Sequence, residues 1–240
     1  MSAQLIVQDI QGEHNKRGNT SIARIIKGGS WKKQRIVVIL PSADLIPAKV
    51  ALSHWNLYFP PNNGVVKMLA LGQEVGEAYS NAIEQILAHP EMSKWEYILT
   101  LEADNMPPPD GVIKLLERME LHPEYSCIGG LYWTKGEGGV PQIWGDPKDP
   151  IINFRPQIPV LGEVVECCGT GMGFNLWRMS MFKDQRLRKP WFKTLNGSNG
   201  TGLGTQDLYF WGDARQYNYR CAVDCAVQVG HYDYHNDFTW

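Results

Sequence analysis

The chain has 240 residues, 43% hydrophobic and 20% charged, with a formal net charge of −2. That length and balance suit one domain with a sizeable core and exclude a low-complexity chain, while the near-neutral charge selects neither nucleic acid nor membrane as partner. No run approaches the roughly 18 apolar residues needed to cross a bilayer, and residues 1–10 lack the basic-then-apolar pattern of a signal peptide, so a soluble, cytoplasmic protein is expected. The five cysteines are odd in number and lie mostly in apolar contexts. They read as buried free thiols, because Cys221 and Cys225 have no matching Cys/His pair with which to hold zinc.

In chain order, residues 1–34 form a basic arm or hairpin around Gly28, Gly29 and Ser30. Through Arg35 the segment carries Lys16, Arg17, Arg24, Lys27, Lys32 and Lys33 against only Asp9 and Glu13. Such an excess fits a dock for an anionic acceptor or a solvated arm. Residues 35–40 are an apolar, β-branched strand ended by Pro41. A helix over 48–55 and a strand over 65–71 follow. Val75, Ala78, Tyr79, Ala82, Ile83, Ile86 and Leu87 recur at helical spacing up to Pro90. A strand over 97–101, a helix with Val112, Leu115, Leu116 and Met119 on one face, and a strand over 126–132 complete a βαβαβαβ order, which implies a mostly parallel sheet with right-handed crossovers. Beyond Trp133 the rhythm changes to a Gly/Pro-rich stretch, an apolar strand over 163–168, a glycine loop over 169–173 and a basic segment ending at Pro190, Trp191 and Phe192.

The strand over 97–101 ends in Glu102-Ala103-Asp104-Asn105 and then three prolines that forbid its continuation. Carboxylates one residue apart on a strand point the same way, and the C-terminal edge of an open α/β sheet is where ligands bind. The pair therefore fits a hard-oxygen site for Mg²⁺ or Mn²⁺ that leaves positions open for phosphate oxygens. The same spacing also fits a solvated acidic turn in which Asp104 or Asp110 caps the next helix.

Several segments in this order resemble the GT-A-fold glycosyltransferases, especially the family 2 group. They are the strand ending Pro41-Ser42, a helix with Ala78, Asn81, Ala82 and Ile83, then Y-I-L-T-L-E-A-D-N, G-G-L-Y, G-T-G-M-G-F, P-W-F, G-T-Q-D-L-Y-F and V-Q-V-G-H. The resemblance spans residues 36–231 and rests on the order of the motifs. It implies an α/β, GT-A (nucleotide-diphospho-sugar transferase) catalytic domain over 35–232 with a C-terminal aromatic tail over 233–240. The implied activity is metal-dependent, hexosyltransferase-like transfer of a sugar from a nucleotide-sugar donor to a hydroxyl on a glycan, protein, polyol or hydroxymethylated DNA base.

Glu102-Ala103-Asp104 then stands for the family's D-x-D motif. Asp104 is the expected ligand of Mn²⁺ or Mg²⁺, and Glu102 the contact to ribose or to a metal-bound water. The resemblance makes His231 the further ligand, with His235 its competitor in the tail. It makes Asp207 the general base of an inverting reaction, at the start of a helix over 207–217 whose apolar face reads Leu208, Trp211 and Ala214. Its placement in a first turn equally fits a dipole-stabilised carboxylate of lowered pKa. Pro41, Ser42, Ala43, Glu77, Asn81, Glu102 and Ala103 are implied at the donor. Gly169, Thr170 and Gly171 are placed at the sugar or acceptor, where glycine allows backbone approach, with Trp133 and Trp191 as stacking surfaces. Residues 195–204 have the composition of a lid. Alternatives from other classes are a nucleotidyltransferase, which usually carries a glycine-rich basic loop where this chain has Pro41-Ser42-Ala43-Asp44, and a catalytically silent carbohydrate- or nucleic-acid-binding relative.

Overall fold

The computed structural model describes residues 29–151, 153–196 and 202–240. Lys16, Arg17, Arg24, Lys27 and residues 197–201 of the expected lid therefore lie outside the described residues. The strands are β1 (Ile36–Ser42), β2 (Val65–Leu71), β3 (Tyr97–Leu101), β4 (Asn105–Met106), β5 (Cys127–Leu131), β6 (Ile143–Trp144), β7 (Val164–Cys167), β8 (Gly169–Thr170), β9 (Phe174–Arg178), β10 (Leu195–Asn196), β11 (Gly202–Gly204), β12 (Cys221–Gln228), β13 (Gly230–Asp233) and β14 (Phe238–Thr239). The helices are α1 (Ala48–Trp55), α2 (Val75–Ala88), α3 (Gly111–Leu121) and α4 (Gln206–Ala214).

Seven strands form one sheet in the order β2-β1-β3-β9-β5-β12-β7. Five share a direction, while β9 runs antiparallel to both β3 and β5, and β7 antiparallel to β12. The expected crossover from β3 through α3 to β5 exists, but the two strands are not neighbours. β9 fills the gap, and its FNLWR sequence hides behind the glycine loop that precedes it.

Every residue of β1, β3 and β5 is buried, as expected where helices cover both faces. The pleat sorts side chains by parity. Val37, Ile39 and Ile98 join Tyr79, Ile83 and Ile86 of α2 and an aromatic group of Trp177, Phe182, Phe192, Phe210 and Trp211. Ile36, Val38, Leu40, Leu99 and Leu101 face the other way, onto Val112, Leu115, Leu116 and Met119 of α3. Trp31, in a short turn over Ser30–Lys33, is only 3% exposed and joins that second layer, so packed structure begins before β1.

Two polar devices tie the outer elements to the sheet. Asp224 on β12, 1% exposed, accepts from Arg118 Nε of α3 at 2.9 Å and from Ala226 N at 2.9 Å. Arg178 at the end of β9 donates to the carbonyls of Tyr125 at 2.8 Å and Met119 at 2.7 Å, closing the last turn of α3. The five cysteines are all buried and free. No helix among the described residues is long and apolar enough to cross a membrane.

Candidate active site

After β1 the chain builds β2 on one side and then returns to lay β3 on the other, which makes the space beyond the C-terminal ends of β1 and β3 a topological switch point. A cleft of about 740 Å³ opens there. Its walls are the 43–47 loop after β1, Ala103 and Asp104 after β3, Lys135, and residues 232–235. No local pattern marks Lys135, which only the fold brings to this cleft.

The two acids do not lie on a strand. β3 stops at Leu101, and a turn closed by Asn105 N–H donating to the Glu102 carbonyl at 3.1 Å separates them. Glu102 continues the parity of Ile98 and faces the aromatic layer, while Asp104 is turned into the cleft. Their environments differ accordingly. Burial, then the charges of Asp104 and Asp207, push the Glu102 carboxyl up to about 8. Asp104 is 37% exposed. Burial tends to raise its pKa, but hydrogen bonds and charge from His231 and Lys135 outweigh it and hold the carboxyl down to about 2.

His231 reaches Asp104 because its strand β13 pairs antiparallel with β4, opposite Asn105. The Tyr232 N–H donates to the Asp104 carbonyl at 2.7 Å and locks the register. His231 Nδ1 lies 2.7 Å from the Trp133 carbonyl. A carbonyl only accepts, so Nδ1 carries the proton. The other ring nitrogen, Nε2, is therefore aimed at Asp104 Oδ2 from 3.3 Å. In a neutral ring it brings a lone pair toward a carboxylate, which is stable only with a cation close by or a proton on Nε2. Lys135 Nζ, 2.5 Å from the same oxygen, supplies a cation here. The carbonyl-anchored imidazole beside a carboxylate is the usual support of a metal-binding histidine. Among the described residues no three His, Cys, Asp or Glu side chains form a ready-made metal shell. Two ligands with open positions still fit Mg²⁺ or Mn²⁺ held partly by phosphate.

The expected tail is part of this construction. His231 N–H and C=O both pair with Trp240 at 3.0 Å, and β13 pairs with β14. His235 lines the cleft mouth, its backbone N–H held by Asp233 at 2.9 Å.

Asp207 is 6% exposed in the first turn of α4. The dipole and the Leu208 N–H at 2.9 Å would lower its pKa, as would its bond with Thr205, yet burial dominates and the carboxyl is raised. The expectation of a lowered value is thus corrected. Phe210 rather than Leu208 completes the buried face with Trp211 and Ala214, and the α-helix ends at Ala214 before a tighter turn over Arg215–Tyr217. Burial foremost, then the charges of Glu102, Asp104 and Asp207, raise the hydroxyls of Tyr79 and Tyr132 well above the usual range. Both tyrosines thus feel all three carboxylates, of which Asp104 lines the cleft while Glu102 and the buried Asp207 do not line it.

Other expected contacts are distributed differently. Ala43 and Ala103 line the cleft. Pro41 and Ser42 are buried in β1, with Ser42 Oγ accepting from Asp44 N at 3.2 Å. Glu77 and Asn81 are exposed on α2, Asn81 bonding Gln73 at 2.8 Å, and neither lines the cleft. Gly169, Thr170 and Gly171 are buried under protein. A Cβ on Gly171 would stand 2.3 Å from the Tyr132 hydroxyl, and one on Gly169 3.1 Å from the Trp211 ring. Their smallness therefore serves packing between site residues. Trp191 is 2% exposed and meets Phe182 edge-on at 5.8 Å, so it belongs to the core. Trp133 is half-buried, and its carbonyl, not its ring, serves the site.

No family model matches the sequence, and no curated protein matches it. Among solved structures, the chain is similar to the crystal structure of A197 from STIV, with a TM-score of 0.59 and 16% identity, over 83% of this chain and 86% of that one. At that identity the likeness is one of fold: a mixed α/β architecture with a large, mostly parallel central sheet flanked by helices.

Proposed function

We propose that the chain is a metal-dependent glycosyltransferase of the GT-A fold, which moves a sugar from a nucleotide-diphosphate-sugar donor to a hydroxyl acceptor with inversion. One observation carries the reading. A histidine whose Nδ1 is fixed by a carbonyl aims Nε2 at Asp104, beside a cleft at the switch point of the sheet, with a second, buried carboxylate region adjoining it.

Asp104 and His231 would hold Mn²⁺ or Mg²⁺, and what such an ion supplies when bound is neutralisation of charge on the departing diphosphate. The 43–47 loop takes the nucleoside end of the donor in the cleft. Asp207 accepts the proton of the acceptor hydroxyl as that oxygen bonds the anomeric carbon and the carbon–diphosphate oxygen bond breaks. Its raised pKa makes it a stronger base than an ordinary carboxylate, and its burial keeps competing water from the proton path. Glu102, in the turn that carries Asp104, stays protonated at neutral pH, its ionisation opposed by burial and by the charges of Asp104 and Asp207.

The test is a screen of nucleotide-sugars with Mn²⁺, read by released nucleoside diphosphate. The reading expects one donor to be hydrolysed slowly without acceptor, and hydrolysis to stop on chelation. Absence of cleavage across the common donors, together with no nucleoside diphosphate binding, would overturn it.

A further inference from the structure

Lys135 emerges from a short glycine-rich loop whose stem is closed by Thr134 N–H to the Val140 carbonyl and Val140 N–H to Thr134 Oγ1, both at 2.9 Å. Gly136 and Gly138 in its tip have φ of +99° and +77°, conformations that suit glycine. The lysine is thus delivered from a fixed stem on a long, rotatable side chain. Its ammonium sits 2.5 Å from Asp104 Oδ2, the oxygen that His231 Nε2 approaches at 3.3 Å, and the side chain is one-third exposed toward the cleft.

We propose that Lys135 competes with the divalent cation for Asp104 and, once displaced, becomes the ligand of the donor's diphosphate. This rests on the glycosyltransferase reading. A single carboxylate oxygen cannot keep an ammonium and a dication as close neighbours without strong repulsion, so filling the position between Asp104 and His231 drives Nζ away. The stem of Lys135 keeps the displaced charge in the cleft wall. A diphosphate bridging to the cation would lie there, and an ammonium is a compact donor suited to phosphate oxygens. The competing destination is Asp233, which also lines the cleft and feels the charge of Lys135. The arrangement makes the empty site self-neutralised and couples cation and donor binding.

The variant Lys135→Met keeps the length of the stem and removes its charge. Mn²⁺ binding without nucleotide is measured by the electron paramagnetic resonance of free Mn²⁺. Nucleoside diphosphate binding at saturating Mn²⁺ is measured by calorimetry, with whichever of ADP, GDP and UDP the wild type binds tightest. The variant is expected to bind Mn²⁺ about tenfold tighter and the nucleotide about tenfold weaker, the scale of one hydrogen bond to a charged group. Lys135→Arg should restore much of the nucleotide affinity. Unchanged or weaker Mn²⁺ binding in Lys135→Met, or unchanged nucleotide affinity, overturns the inference while leaving the metal reading in place if wild type binds Mn²⁺ and Asp104→Asn does not. If neither wild type nor Lys135→Met binds Mn²⁺, the inference and the metal reading fall together.

Discussion

At the end of β3 the chain divides its carboxylates between two environments one residue apart. On the inward side, Glu102 and Asp207 are sunk among Tyr79, Tyr132 and the aromatic layer, and both are held above their ordinary pKa, Glu102 at about 8. On the cleft side, Asp104 meets His231 and Lys135 and is held at about 2. The inward region conserves protons and excludes water. The cleft side keeps one carboxylate ionised and within reach of cations, Lys135 among them. A proton-taking base suits the first setting and an ion-binding carboxylate the second; at the end of β3 a single turn separates Glu102 in the one from Asp104 in the other.

The largest effect should come from removing the proposed base. Asp207→Asn should leave donor affinity near the wild-type value while turnover falls by about 10²–10⁴. Unchanged turnover in a folded variant would reduce Asp207 to a helix-terminal charge and favour a retaining mechanism. Next in size is the support of the inward region. Trp211 is fully buried, stacks on Trp177 at a centroid distance of 5.3 Å and sits on the helix that carries Asp207. Trp211→Ala should cost roughly 3–5 kcal/mol in denaturant unfolding, and a loss below 1 kcal/mol would contradict the packing described.

The raised pKa of Asp207 has two consequences of definite sign. As a base it must be ionised, so kcat/KM should rise with pH through an acidic limb lying above the ordinary carboxylate value of about 3.9, and Asp207→Asn should lack that limb. For stability, the folded state holds the proton more tightly than the unfolded chain. The carboxyl therefore destabilises the fold progressively as pH rises from the unfolded value through the raised folded one, and the penalty is complete above it. Asp207→Asn should accordingly melt higher than wild type at neutral pH, with the gap closing on acidification, and a gap that widens in acid would reverse the assignment. Asp207 bonds Thr205, and its charge is felt at Glu102, Tyr79 and Tyr132, so the limb belongs to that coupled set rather than to an isolated acid. The smallest contrast is between the histidines. His231→Ala should weaken Mn²⁺-dependent nucleotide binding by tenfold or more, on the scale of a lost metal ligand or its support, whereas His235→Ala at the cleft mouth should change it little. The reverse would move the ligand into the tail.

Much of this was legible in the sequence because it depends on local pattern. The runs that became β1, β2 and β3 and the 3.6-residue stripes of α2 and α3 are visible before any contact is known, as are the acids after β3. What escaped depends on distant pairing. β9 was hidden since FNLWR follows a glycine loop, and its place between β3 and β5 is fixed only by tertiary packing. Cys221 and Cys225 are the buried free thiols expected, but the strand β12 that carries them escaped because CAVDCAVQ is buried nearly throughout and shows no alternation. Trp191 and the 169–171 segment resembled a binding surface because aromatics and glycines serve tight packing and ligand contact equally well. Lys135 carries no local signature at all, and only the fold sets it against Asp104, thirty-one residues upstream.

Calorimetry of nucleoside diphosphate binding with Mn²⁺ and with chelator, in wild type and Asp104→Asn, tests most directly the claim that the cleft side of the turn is an ion and diphosphate site. Wild type should bind far more tightly with Mn²⁺, and Asp104→Asn should erase that difference while its melting transition stays cooperative. Equal wild-type affinity in the two conditions, or a Mn²⁺ effect that persists in Asp104→Asn, would contradict the account.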